Sequence, residues 1–175
     1  MSGHRDLDIN SIEEFFAHAL AMEREASEQY AELAAQMEVH NNPEVAELFA
    51  KLSLIEGKHV DKIDQKSGDR ELPHMAPWDY KWDDGAAPES PATMEAHYMM
   101  TPHHALSLAL KAEQRAAAFF QRIAAGSTDD EVKSMAAEMA AEEIEHIAWL
   151  TDWLKKYPKP DSDWDDDLDP PMMQE

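Results

Sequence analysis

The chain has 175 residues, enough for one domain that buries about 70% of its unfolded surface. It carries 37 acidic and 15 basic side chains, a net charge of −22, which repels phosphate backbones and anionic bilayers and argues against nucleic acid or a membrane surface as partner. No cysteine is present, which excludes disulfides, thiolate zinc sites, Cys-ligated iron–sulfur centres and a rubredoxin-type iron, so a metal would have to sit on His, Asp and Glu.

The longest uncharged run, residues 96–110, contains Pro102 and three histidines and is too short to span a bilayer. The N-terminal residues lack the apolar run of a signal peptide, so the expected location is the cytoplasm. Glycines are few and four of the ten prolines lie between Pro73 and Pro91. This composition predicts an all-α fold with one long irregular connection.

Four helices can be bounded in chain order. The first opens at Ser11, where Ser11-Ile-Glu-Glu14 has the spacing of a capping box, and runs to about Glu38. The second opens at Asn42-Pro43, an N-cap followed by proline in the first turn, and ends near Ser67-Gly68. The third opens at Thr101-Pro102 by the same logic and ends at Gly126 as the residue beyond the last turn. The fourth opens near Thr128, three residues before Glu131, and ends before Tyr157-Pro158.

Each helix carries a stripe in alternating steps of three and four, the seam of a helix bundle. Residues 67–100 then form a connection long enough to need a reason. A crossover running the length of a four-helix bundle supplies one, and Trp78, Tyr80 and Trp82 are expected to anchor it. Residues 1–160 are read as the domain. Residues 161–175 hold seven acids and no base and are read as a solvated tail, with Trp164 and Leu168 as its only docking candidates.

The chain also repeats itself. Ala19-Leu20-x2-Glu23-x2-Ala26-x3-Tyr30 matches Ala109-Leu110-x2-Glu113-x2-Ala116-x3-Phe120. Each copy is followed about thirty residues on by Glu-x-x-His, first Glu56 with His59 and then Glu143 with His146. The six polar residues Glu23, Glu56, His59, Glu113, Glu143 and His146 all fall on the apolar seams. Measured from the two helix–helix turns, the three in each hairpin lie within about five residues of axial height, under roughly 8 Å. Glu and His three residues apart share a helix face, so each pair points inward together. Unpaired carboxylates in an apolar core cost several kcal/mol each. Cations are the simplest compensation, and four carboxylates with two imidazoles suit two ions of iron or manganese.

These motifs resemble the ferritin-like superfamily, and within it the rubrerythrins, over residues 11–155. The resemblance implies that Glu23 and Glu113 are metal ligands from the first and third helices, with Glu56, His59, Glu143 and His146 from the paired motifs. It implies two iron ions, with manganese or mixed occupancy as alternatives, and peroxide reduction or ferrous-iron oxidation as the activity. Hydrogen peroxide or dioxygen would be the oxidant, and the expected assembly is a homodimer. Two departures stand out. Rubrerythrins carry a further carboxylate one turn along the third helix, where this chain has Ala116, and they usually carry a rubredoxin module, which a chain without cysteine cannot form. An external electron donor or a ferroxidase-type role follows.

Other readings of the same residues are a manganese catalase, an oxygen-activating hydroxylase, a non-catalytic iron-binding or storage protein, a buried Glu–His network without metal, or a helical interaction protein. Tyr30, two turns from Glu23 on the same face, is read as a phenol hydrogen-bonded to a ligand carboxylate, against plain core packing. Glu25, Glu28, Glu142 and Glu145 fall off the seam and read as helix surface, Glu142 being the one placed to approach His59 or His146. His18, His40, His74, His97, His103 and His104 lie at other levels and read as structural.

Overall fold

The computed structural model describes residues 8–82, 87–91 and 96–162. Among these it has four long helices and no strand: α1 (Ile12–Val39), α2 (Pro43–Ser67), α3 (Pro102–Gly126) and α4 (Asp130–Leu154). Among the described residues of the crossover, Pro77–Asp79 form a 3-10 turn. The all-α four-helix bundle expected from the seams is the observed architecture.

The helix starts follow local chemistry, with corrections. Ser11 accepts a hydrogen bond from the Glu14 backbone N–H, but the Glu14 carboxylate turns to Lys81 Nζ at 2.9 Å, so only half of the expected capping box forms. Asn42 is the N-cap residue of α2, yet its amide donates to the carbonyls of Tyr98 and Met100 at 3.3 and 2.8 Å. It thus fastens the crossover's far end to the α1–α2 turn. α4 is capped by Asp129, one residue later than expected, because Thr128 is held through its N–H and hydroxyl by Asn10. Gly126 is the last residue of α3 rather than a residue beyond it, and Ser127 takes the cap. Gly68 does end α2, with φ of 58°, a conformation that suits glycine.

Contacts fix the helix directions. Tyr30 meets Phe49 and Ser27 meets Ser53, so α1 and α2 run antiparallel. Ser27 and Ser53 each donate to the other's carbonyl, at 2.9 and 2.8 Å, an internal polar clasp between the two helices. Lys62 pairs with Glu142, Lys66 with Glu138 and Arg70 with Glu131, so α2 and α4 are also antiparallel. Phe15 packs on Phe120 at one end of the bundle. Residues 67–100 must therefore travel from the end where α2 stops to the opposite end where α3 starts, as a full-length crossover does.

His18 explains how that crossover is held. It is fully buried, and its Nε2 accepts the backbone N–H of Lys81 at 3.1 Å. Its ring meets Tyr80 and Trp82 edge-on, each at 5.2 Å between centroids. Tyr80 and Trp82 therefore anchor the crossover as expected. Trp78 does not, since it is 83% exposed. The acidic tail beyond residue 162, including Trp164 and Leu168, lies outside the described residues.

The core is split in two. One apolar cluster gathers Phe15, Phe16, Met22, Phe119, Phe120 and Ile123 with their neighbours. The other gathers Tyr30, Leu33, Phe49, Leu52, Leu106 and Leu150. Burying each large side chain stabilises the fold by about 1.5–3 kcal/mol, so the two clusters hold the bundle rigid on both sides of what lies between them. Between them lie buried acids.

Candidate metal centre

Glu23, Glu56, Glu113 and Glu143 are buried, each exposing 4% or less of its surface. They come from four different helices and occupy one layer. Each helical hairpin contributes a triad of the same design. His59 Nδ1 lies 3.1 Å from Glu56 Oε2 and 3.5 Å from Glu23 Oε2. His146 Nδ1 lies 3.2 Å from Glu143 Oε2 and 3.4 Å from Glu113 Oε2. The two imidazoles then stack face to face, with centroids 4.4 Å apart and planes within 1°. The two repeats in the sequence are thus two halves of one polar layer, and all six seam residues meet there.

A seventh residue joins them from outside the helices. Glu89, in the crossover, exposes 1% of its surface, and an oxygen of its carboxylate lies within 4.8 Å of donor atoms on Glu23, Glu56 and His59. Sequence reasoning missed it. It lies on no helical stripe, and the only local signal is Pro88 and Pro91 around it, which pin the backbone without saying what the side chain is for.

The electrostatics are those of too many acids in too little solvent. Burial raises the Glu23 carboxyl to about 8, the contact with His59 opposing it only in part. Burial likewise pushes Glu113 and Glu89 well above the usual carboxylate range, and neighbouring carboxylates add to the shift. Burial alone would lower the two imidazoles, but their carboxylate partners reverse this and raise His59 to about 11 and His146 to about 10. Burial also acts to raise Glu143, yet its contacts with His146 and Glu113 outweigh that and leave it lowered.

Among the described residues, Glu23 Oε2, Glu113 Oε2 and both oxygens of Glu89 accept no hydrogen bond, the first two having only an imidazole nitrogen at 3.5 and 3.4 Å. A buried acceptor left without a donor costs about 1–3 kcal/mol, more when charged. The two lysines nearest the layer do not help, because Lys62 and Lys66 are engaged by Glu142 and Glu138 at the cleft's outer edge. Glu142 therefore serves the ion pairs over the cleft, and no contact from it to either imidazole is needed to explain its position. Oxygen-rich donors with one imidazole per triad fit hard or borderline divalent cations, which would satisfy the orphaned oxygens and neutralise the charge together. Glu23, Glu56, His59 and Glu89 form one group able to hold such an ion, and Glu113, Glu143 and His146 form another.

A family model described as a ferritin-like domain matches residues 13–159. The chain belongs to the ferritin-like domain family. A solved structure of an uncharacterised conserved protein from Magnetospirillum magnetotacticum MS-1 is similar to it, with 42% sequence identity and a TM-score of 0.65, over 86% of this chain and 98% of that one. No curated protein matches it. Among the described residues of this ferritin-like domain, no helix is long and apolar enough to cross a membrane.

Tyr30 borders the layer, and the remaining candidates lie away from it. Tyr30 is 1% exposed and stacks on Phe49 at 6.1 Å, and burial with the nearby Glu56, Glu113 and Glu89 raises its phenol well above the usual range. Glu28 and Glu145 are exposed and Glu25 binds Gln29, as surface residues do. His40 and His74 are exposed, and His104 accepts the Thr101 N–H at the start of α3, all in structural positions.

A metal-binding reaction at this layer must displace protons. The carboxylates around His59 and His146 favour their protonated forms, and a cation bound at the same ring nitrogen would have to displace that proton. Loading is expected to release at least one proton per imidazole, with apparent affinity rising as pH increases from 6 to 8. Calorimetric titration in buffers of different ionisation enthalpy reads the release, and a result independent of buffer would contradict it. The same shifts fix the sign for folding without metal. Glu23 is raised from 4.5 to about 8 and His59 from 6.5 to about 11, so the folded state holds protons that the unfolded chain loses. Metal-free stability should therefore fall as pH climbs from 6 to 9.

Proposed function

We propose that the chain is a di-iron oxidoreductase that reduces hydrogen peroxide or dioxygen with oxidation of ferrous iron, as rubrerythrin-like peroxidases and ferroxidases do. The observation that carries this reading is the pair of Glu–Glu–His triads in one buried layer, with orphaned carboxylate oxygens between them. When bound, two ferrous ions supply one electron each, enough to break the O–O bond of one peroxide and yield two waters with two protons.

The chain's own residues hold the ions and shape their surroundings. Glu56 with His59 and Glu143 with His146 would each offer an oxygen and a nitrogen to one ion, and Glu23 and Glu113 would complete the oxygen set. The apolar clusters shield the layer from bulk water except at the cleft beside His59 and His146, which strengthens the charge interactions of its buried carboxylates. Tyr30 keeps its proton throughout the physiological range, and we assign it the role of orienting the ligand carboxylates. Its counterpart Phe120 cannot do so, which makes the two halves chemically different. Electrons come from a separate donor, because this chain has no cysteine on which to hold a rubredoxin-type iron. A cytoplasmic location accords with this chemistry.

Stopped-flow mixing of the ferrous-loaded protein with hydrogen peroxide tests the reading. Ferric absorption in the near ultraviolet should appear with two ferrous ions consumed per peroxide, and faster than with dioxygen. Absence of that absorption would contradict the redox role, and a slower reaction with peroxide would remove the peroxidase assignment.

A further inference from the structure

We propose that the crossover is part of the metal centre: Glu89 supplies an additional carboxylate to the position framed by Glu23, Glu56 and His59, making the two cation positions unequal. This rests on the di-metal reading above and goes beyond it, since the shared six-residue pattern has no place for a ligand from residues 67–100.

Three observations meet at Glu89. Its carboxylate is buried beside the first triad, and neither oxygen has a hydrogen-bond partner among the described residues. A surface connection offers many solvated places for an acid, so one sealed inside without a donor demands compensation. Second, the backbone is built to hold it there. The Ser90 N–H donates to the Ala87 carbonyl at 3.1 Å, closing a turn with Pro88 and Glu89 at its centre. Proline is favoured at the first central position of such a turn, because its fixed φ suits it. Ala87 is itself buried in the apolar core.

Third, Arg115 of α3 grips the turn from the other side. Its Nε donates to the Pro88 carbonyl at 2.8 Å and its Nη2 to the Ser90 carbonyl at 2.7 Å. The guanidinium fork is thus engaged with the backbone on both sides of Glu89 and makes no hydrogen bond to the Glu89 carboxylate. Arg115 is a positioning residue: it fixes where the carboxylate points and leaves its oxygens available. Among the described residues, the second triad of Glu113, Glu143 and His146 has no fourth acid of this kind. Two divalent ions are balanced by the four helical carboxylates, and Glu89 places the excess negative charge beside the first ion.

Anaerobic titration with manganous ion, read by the loss of the free-ion paramagnetic resonance signal, tests this on the full chain. The wild-type protein should bind two ions with distinct affinities. Glu89→Gln keeps the side chain's shape and should weaken one of the two steps by at least about tenfold, leaving the other at its wild-type value. Arg115→Ala should weaken the same step while Glu89 is still present, with helical content checked by circular dichroism. Two equal wild-type steps, or a Glu89→Gln protein that binds both ions as the wild type does, or one weakened alike at both, would overturn the proposal. A wild-type chain that binds no manganous ion would instead refute the di-metal reading, and the proposal with it.

Discussion

Ferrous or manganous ion at a hundredfold excess over its dissociation constant should raise the thermal midpoint of the metal-free chain by roughly 10–20 °C. The figure follows from linkage. Each site saturated to that degree contributes about 2.7 kcal/mol, and a chain of this size gains about 2–4 °C per kcal/mol. The affinity itself should be high, because the ions relieve a defect on binding. Among the described residues Glu23 Oε2 and Glu113 Oε2 accept no hydrogen bond, and burial works against their charge more than the nearby imidazoles favour it. A chelator should reverse the shift fully. Scanning calorimetry with and without chelator measures it, and a change under a few degrees would mean that the buried acids are not there for cations.

Replacing Glu113 by methionine should have opposite consequences in the two states. Without metal, Glu113→Met removes a buried carboxyl with an orphaned oxygen and fills nearly the same volume. Replacing a whole buried ionic group by apolar residues of similar volume is often neutral or stabilising by about 1–4 kcal/mol, and the gain here is what survives the loss of the Glu113 contact with His146. The gain should be larger at pH 8 than at pH 6, because the proton that neutralises Glu113 becomes costlier to retain as pH rises. With metal, the same variant loses an oxygen donor from the second triad and most of the stabilisation that loading brings. Denaturant titrations in both states give the comparison. A variant less stable than the wild type in the absence of metal would show that Glu113 contributes to folding in its own right, and that the functional explanation for its burial is unnecessary.

The helices and the six inward polar residues could be read from the sequence because both follow the helical period. Glu23, Glu56, Glu113 and Glu143 stood out as acids at positions that their neighbours Phe16, Leu52, Phe120 and Met139 mark as core. Helix ends were less legible where a remote partner competes for the cap. Asn10 takes Thr128 and shifts the start of α4 to Asp129, and Lys81 takes the Glu14 side chain from its own helix. Neither partner is near in sequence. Trp78 and Trp82 illustrate the same limit: in an irregular segment no period distinguishes the ring that is exposed from the one packed beside His18. Glu89 was invisible for that reason, although its carboxylate lies within 4.8 Å of donor atoms on Glu23, Glu56 and His59. Its turn is bound by Arg115 through the Pro88 and Ser90 carbonyls, and an arginine on a helix gives no hint that it will contact a distant backbone turn.

Metal content tests the central claim most directly. Chain loaded anaerobically with ferrous ion, desalted and analysed by plasma mass spectrometry should carry close to two irons, and a variant with Glu113, Glu143 and His146 all replaced should carry one. A wild-type chain that stays folded and emerges with none would contradict the account and leave a bundle whose buried acids need another explanation.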